Sequence, residues 1–262
     1  MFDREKLLSM INDPGEKEVV ARGLDLAQGV LRSYNPQLSD FYDPFHTALL
    51  TSIIERIPDV SIGFDGGYPG AERKRLVICP DYLDPQVEDY GLAFLAIRGT
   101  FKFSGVSHRD FLGSMLGLGL RREKLGDIIV DESCAQVVVT VEVADFIRVN
   151  LSKVGRNTVK IEEINREALV PPSPKVKEIR STVPSMRLDV VAAGAFGVSR
   201  SKMAGEVSSQ KVAVNWRLCT NQSAPVKEGD MISVRGKGRA EVSAVGGRTK
   251  KGRIAIVLLK YM

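Results

Sequence analysis

Residues 198–215 read VSRSKMAGEVSSQKVAVN, and this stretch decides how the C-terminal end of the chain folds. Ser199 is suited to cap a helix by accepting a hydrogen bond from a free backbone amide. Arg200 and Lys202 then emerge beside the remaining free amides, so two cations and the positive end of the helix face one anion. Lys211-Val212-Ala213-Val214-Asn215 follows as a short strand. In isolation such a segment is most simply a capped surface helix with two solvated cations. Its context changes that weighting. Arg235-Gly236-Lys237-Gly238-Arg239 alternates cations with glycine, and Gly246-Gly247-Arg248-Thr249-Lys250-Lys251-Gly252-Arg253 repeats the theme in the next connection. Glycine permits close backbone approach and unusual dihedrals while Lys and Arg meet phosphates, a combination suited to loops lying along a nucleic-acid backbone.

The charge distribution agrees. The whole chain of 262 residues carries a formal +5, but residues 183–262 hold 14 Lys and Arg against 5 Asp and Glu. The remainder holds 23 against 27, so the positive surplus lies at one end. Clustered cations favour a polyanionic partner through counterion release.

Outward from this module, the sequence predicts an α+β chain of three parts. Residues 1–70 are expected to be mainly helical, with Asp13-Pro14 starting one helix and Asp43-Pro44 another. Residues 71–182 carry strands around Leu76–Cys79, Leu92–Gly99, Asp127–Val130, Ala135–Thr140 and Thr158–Ile164. Helices are expected around His108–Leu116 and Val141–Val154. From residue 92 the order is βαββαβ, the ferredoxin-like split βαβ pattern. Pro171-Pro172-Ser173-Pro174 marks a second boundary or the sharp entry to a strand at Val176–Thr182, since proline fixes φ and lacks an amide donor. Residues 183–262 then form a compact αα plus β unit. Apolar residues at 44% and charged residues at 26% fit a folded soluble protein, and no window is long and apolar enough to span a bilayer. The expected setting is cytoplasmic; a plastid stroma is less favoured because no transit peptide is visible. Cys79, Cys134 and Cys219 are too dispersed for a CxxC site or an even disulfide framework.

Several segments in order and spacing resemble the RNA-binding domain named after ribosomal protein S-four. They are Met186-Arg187-Leu188-Asp189, Val198–Lys202, Val212–Asn215 and Glu228–Arg235. That resemblance implies RNA-facing or structural positions for Arg187, Ser199, Arg200, Lys202, Lys211 and Asn215. Gln210 departs from it, standing where the family usually has glycine. Over nearly the whole chain, Gly66-Gly67-Tyr68, Ala71-Glu72-Arg73, Leu112–Gly119, Gly126-Asp127-Ile128 and Gly247–Gly252 resemble the YlmH-type proteins of bacteria and plastids. Cyanobacterial and plant members of that group carry a name referring to photosystem II, which points to an origin and defines no mechanism. The resemblance implies association with the large ribosomal subunit, ribosomal RNA as partner with tRNA beside it, and a part in rescue of stalled translation.

Enzyme readings are weaker. Arg187-Leu188-Asp189 resembles the element by which pseudouridine synthases present a catalytic aspartate, but no catalytic domain follows it, so Asp189 is expected to cap a helix or pair with a neighbouring cation. His108-Arg109-Asp110 lacks the nucleotide loop and metal-binding element of a kinase. His46 and His108 have no ligand-like neighbours in sequence. Leu112–Gly119 has no Walker lysine and no dinucleotide fingerprint; its glycines predict tight helix packing. Phe101 and Phe103 suit either an RNA-stacking surface or the core of a strand extension, with the core favoured. The sequence therefore predicts a non-catalytic RNA-binding protein with no cofactor, no metal and no membrane insertion. Its expected RNA-binding residues are Arg187, Ser199, Arg200, Lys202, Lys211, Asn215, Arg235, Lys237, Arg239, Arg248, Lys250, Lys251 and Arg253. The competing readings are an RNA-modifying enzyme such as a pseudouridine synthase, and a protein-interaction factor in cell division or photosystem II assembly.

Overall fold

The structure is a computed structural model describing residues 2–101, 106–131, 134–171 and 175–261. It forms two compact units, residues 1–172 and 173–262. In the first, α1 (Arg4–Ser9) leads into α2 (Pro14–Ser33), which starts where Asp13 accepts from the amides of Gly15 (2.9 Å) and Glu16 (3.0 Å). Val20, Leu24, Ala27 and Val30 recur at helical spacing along α2 and are buried. They pack with Leu50, Ile53 and Ile54 of α3 (Pro44–Ile54). Asp43 caps α3 through the amide of His46 (2.9 Å) and also contacts the His46 ring (2.9 Å), an anchoring role for that histidine.

These helices cover an antiparallel sheet of which the sequence announces two strands, the alternation over Asp59–Phe64 and the run Leu76–Cys79, and misses the third. The sheet runs β1 (Gln37–Tyr42), β3 (Lys74–Pro80), β2 (Val60–Asp65). Residues 1–70 thus build a sheet as well as helices, and the strand assigned to the middle part completes it. Strand β1 hides in the sequence because a polar residue occupies a core position. Ser39 is buried, its hydroxyl accepts from the Leu76 amide (2.9 Å), and its carbonyl accepts from Arg75 (2.7 Å).

The βαββαβ order follows as expected: β4 (Leu92–Gly99), α4 (His108–Gly117), β5 (Leu125–Val130), β6 (Cys134–Thr140), α5 (Val141–Asn150) and β8 (Asn157–Ile164). A two-residue hairpin partner, β7 (Lys153–Val154), precedes β8. The sheet is antiparallel in the order β5-β6-β4-β8-β7, the ferredoxin-like arrangement. Helix α5 stops at Asn150, short of the expected Val154. Leu151 is extended and Gly155 adopts φ +58, making the tight turn that pairs β7 with β8. One sheet face meets α4 and α5 through Leu95, Ile97, Val137, Val139, Phe111, Met115 and Ile147. The other is covered too, since Phe94 and Val138 pack with Phe41, Ile129 and Leu169.

The second unit is a six-stranded antiparallel sheet with helices on one face. Its strands are β9 (Val176–Val183), β10 (Val212–Val214), β11 (Arg217–Leu218), β12 (Met231–Val234), β13 (Gly238–Arg248) and β14 (Ile254–Tyr261), in the order β11-β10-β12-β13-β14-β9. Strand β9, which the sequence left outside the C-terminal part, pairs along its whole length with β14. Pro172-Ser173-Pro174 lie outside the described residues. Helix α6 (Leu188–Phe196) ends at Gly197 in the left-handed conformation (φ +63), a helix stop that glycine takes without steric cost. Helix α7 (Arg200–Ser208) follows after two further residues. Leu188, Val191, Phe196, Met203 and Val207 pack on Val212, Ile232, Ala240, Val242 and Leu258.

Candidate nucleic-acid interface

The start of α7 is built as the sequence predicts. The Ser199 hydroxyl accepts from the Lys202 amide (3.3 Å), and no acidic residue occupies the first turn. Arg200 and Lys202 are exposed there, a placement that is unfavourable at a positive helix end unless an anion is near. One anion is supplied from within. Asp189, 2% exposed, receives both arginines: Arg187 donates from Nε and Nη2 (3.1 Å each) and Arg200 from Nε (2.8 Å). Burial pushes the Asp189 carboxyl up, but the hydrogen bonds from Arg187 and Arg200 outweigh it and hold the group below its ordinary value. Side-chain exposure is 37% for Arg187 and 57% for Arg200, so each is held from beneath and open above. Asp189 is thereby occupied as an ion-pair anchor, as the sequence expects.

A second cationic group sits at the other end of α7. Glu206 accepts from Lys211 (3.2 Å) and lies 3.9 Å from Lys237, while the Arg235 amide donates to the Lys211 carbonyl (2.9 Å). The first glycine-basic loop and the α7 helix are thus neighbours, with the two groups about 13 Å apart along nine helical residues. The second glycine-basic loop is elsewhere. Arg248, Lys250, Lys251 and Arg253 surround the β13–β14 turn, at the opposite end of the 11-residue β13 from Lys237. That strand spans about 33 Å at the usual rise. Lys250 and Lys251 are exposed, whereas Arg253 donates to Thr182 Oγ1 (3.0 Å) and to the Thr182 carbonyl. Two of the three basic features therefore share one helix, and the third stands apart.

Two further expected residues have fold-holding partners. Asn215 accepts from the Met231 amide (2.8 Å) and donates to Asp230 (2.9 Å), fixing the β10–β11 turn. Arg239 lies 5.8 Å from the centre of the Tyr261 ring; its neighbour Ala240 is buried under the helices, so alternation along the strand puts Arg239 on the opposite sheet face. The sequence reading passed over Trp216 and Arg217, the residues after Asn215. The signal available was Asn215 itself, because an asparagine between two short apolar runs announces a tight hairpin.

In the first unit, three of the segments that carry the sequence resemblance converge on Asp127. Its carboxylate accepts from the Tyr68 hydroxyl (2.8 Å) and from the amides of Glu72 (2.7 Å) and Arg73 (3.1 Å). Arg73 reaches on to the carbonyls of Leu125 and Phe41 (2.9 Å each). A side chain at Gly67, where φ is +95, would overlap Phe94. These motifs tie one sheet to the other. Phe101 is buried and meets Phe111 edge-on (5.2 Å, 76°), a core position and no stacking platform; Phe103 lies outside the described residues. The expected tight packing at Gly113 and Gly117 is corrected, since a Cβ at either would meet nothing within 4 Å.

Comparison with known proteins covers the same regions. Residues 15–83 match the family profile described as "YlmH, N-terminal", residues 85–168 the "Putative RNA-binding domain in YlmH", and residues 186–232 the "S4 domain". The chain is 37% identical over 238 residues to the "Ribosome-associated protein quality control protein P2" of Bacillus subtilis, covering 91% of this chain and 92% of that protein. Among solved structures it resembles "Cell division protein ylmH from Streptococcus pneumoniae", with a TM-score of 0.53 and 26% identity over 62% of this chain and 98% of that one.

Proposed function

The chain belongs to the YlmH family, and from that premise we propose that it is a non-catalytic RNA-binding protein that docks on ribosomal RNA of the large subunit, in the cytoplasm, during translation quality control. Transfer RNA is a second RNA partner in this reading. The observation that carries it is the pair of arginines held open by the buried Asp189, Arg187 at the start of α6 and Arg200 at the start of α7, where the first turn of α7 carries no acidic residue. Such a site offers forked guanidinium donors and free amides to a phosphate. Lys202, Lys211, Arg235 and Lys237 extend the positive surface along α7. The relative's name supports the ribosomal setting. Asp189 is engaged by two arginines, which speaks against its use as a nucleophile and supports the absence of catalysis.

The test is co-sedimentation with purified ribosomal subunits across a salt series, comparing wild type with Arg200→Ala/Lys202→Ala. The expected result is large-subunit association whose logarithmic salt slope falls by about two in the variant. Association indifferent to salt, with no RNA recovered, would instead favour the protein-interaction reading that the neighbour's cell-division title suggests.

A further inference from the structure

Strands β10 and β11 pair with Val214 opposite Arg217, leaving Asn215 and Trp216 as the two residues of the turn, at φ +49 and +65. A hairpin loop of this length with both central residues at positive φ is one that strongly favours glycine in its second place. This chain has tryptophan there, its sole tryptophan, and a bulky side chain in the left-handed region is a genuine conformational outlier. The strain is imposed from the flanks, because the side chain of Asn215 is locked to Met231 and Asp230.

Nothing within the fold accounts for the choice. Trp216 is half-buried, belongs to no core cluster of its unit, and makes no hydrogen bond or ring contact among the described residues. A buried tryptophan would normally find a partner for its indole N–H. The turn is also connected to the arginine cradle. The loop 224–230 holds Asn215 through Asp230, and its other end meets the start of α6, where Leu188 donates to Ala224 (2.9 Å) and Val226 to Met186 (2.8 Å). Arg217, exposed, follows the turn as the first residue of β11.

We propose that Trp216 is a stacking platform for an unpaired RNA base, with the strained turn holding the indole beside the basic surface. This rests on the RNA-binding reading above and adds a preference that phosphate contacts cannot supply, because a base can lie on the indole only where the strand is unpaired. A strained residue kept for binding has opposite effects on stability and affinity, and that opposition is the signature to seek.

The experiment uses the full chain, with single-stranded poly(A) and a fully paired RNA duplex as probes, read by tryptophan fluorescence and by filter binding. Saturable quenching by poly(A) and little by the duplex is expected. Trp216→Gly should melt at a higher temperature yet bind poly(A) about ten-fold more weakly, while Trp216→Phe keeps most of the affinity. The proposal is overturned if poly(A) is retained on the filter without quenching, or if Trp216→Gly binds as wild type. If that same retention is lost in Arg200→Ala/Lys202→Ala, the RNA reading survives and only the platform falls. No retention of either RNA would sink both.

Discussion

Two aspartates organise the two units, and they do opposite things with arginine. Around Asp127 the donors come from the Tyr68 hydroxyl and the amides of Glu72 and Arg73, and three arginines of that unit, Arg73, Arg75 and Arg122, turn inward. Arg75 is 3% exposed and donates to the carbonyls of Ser39 (2.7 Å), Tyr90 and Gly91 (2.8 Å each). Arg122 points to the carbonyls of Leu125 and Gly126, and burial lowers its pKa to about 10. Around Asp189 the arginines are gripped on one side and left open on the other. A guanidinium spent on backbone carbonyls serves as a rivet in the first unit, and a guanidinium paired with a buried acid serves as a mount in the second. What separates the cases is the exposure of the cation.

The comparison can be broken at its strongest point first. Arg75→Ala should cost about 3–5 kcal/mol of stability, since it takes the arginine donor from the buried carbonyls of Ser39 and Tyr90 and leaves a void, and RNA affinity measured on the folded fraction should not change. A melting temperature close to wild type would mean the inward arginines are not rivets. Asp189→Asn comes next, at about 1–3 kcal/mol, together with weaker RNA binding because both arginines lose their anchor. Its pH dependence follows from the lowered carboxyl pKa. A depressed acid stabilises fully above its unfolded value and loses that contribution as pH falls through the folded one. The gap between wild type and variant should therefore be flat near neutrality and close below about pH 4. A gap that widened on acidification would contradict the ion-pair geometry. The smallest effect is at Gln210, a non-glycine residue at φ +56 where the family usually has glycine; Gln210→Gly should stabilise by about 0.5–1 kcal/mol in chemical denaturation, with RNA binding unchanged.

What the sequence made legible divides along the range of the interactions. The βαββαβ order and the helix starts at Asp13, Asp43 and Ser199 depend on residues a few positions apart, and they stand where the pattern puts them. The Arg187–Asp189 contact is equally local, whereas Arg200 joins it from 11 positions away. Asp127 gathers partners 54 to 59 residues distant, so its motifs were recognisable by resemblance while their convergence was not. Strand β1 escaped because Ser39 replaces an apolar residue in the core and satisfies its polar groups there. The two glycine-basic loops read as one theme in sequence, yet the register of β13 with β14 sets them at opposite ends of a hairpin. Trp216 escaped because no periodicity marks a single aromatic residue in a turn.

The full-length pairing of β9 with β14 makes the C-terminal unit a clasp. Its first strand and its last lie side by side, so the covalent order begins and ends on one sheet edge. The matched S4 segment, residues 186–232, is therefore no excisable cassette. Cutting the chain just before α6 would strip the cover from β14 and leave eight residues of unpaired backbone as a template for another chain. The linker region ahead of the helices is thus guarded by hydrogen bonds to the far end of the polypeptide.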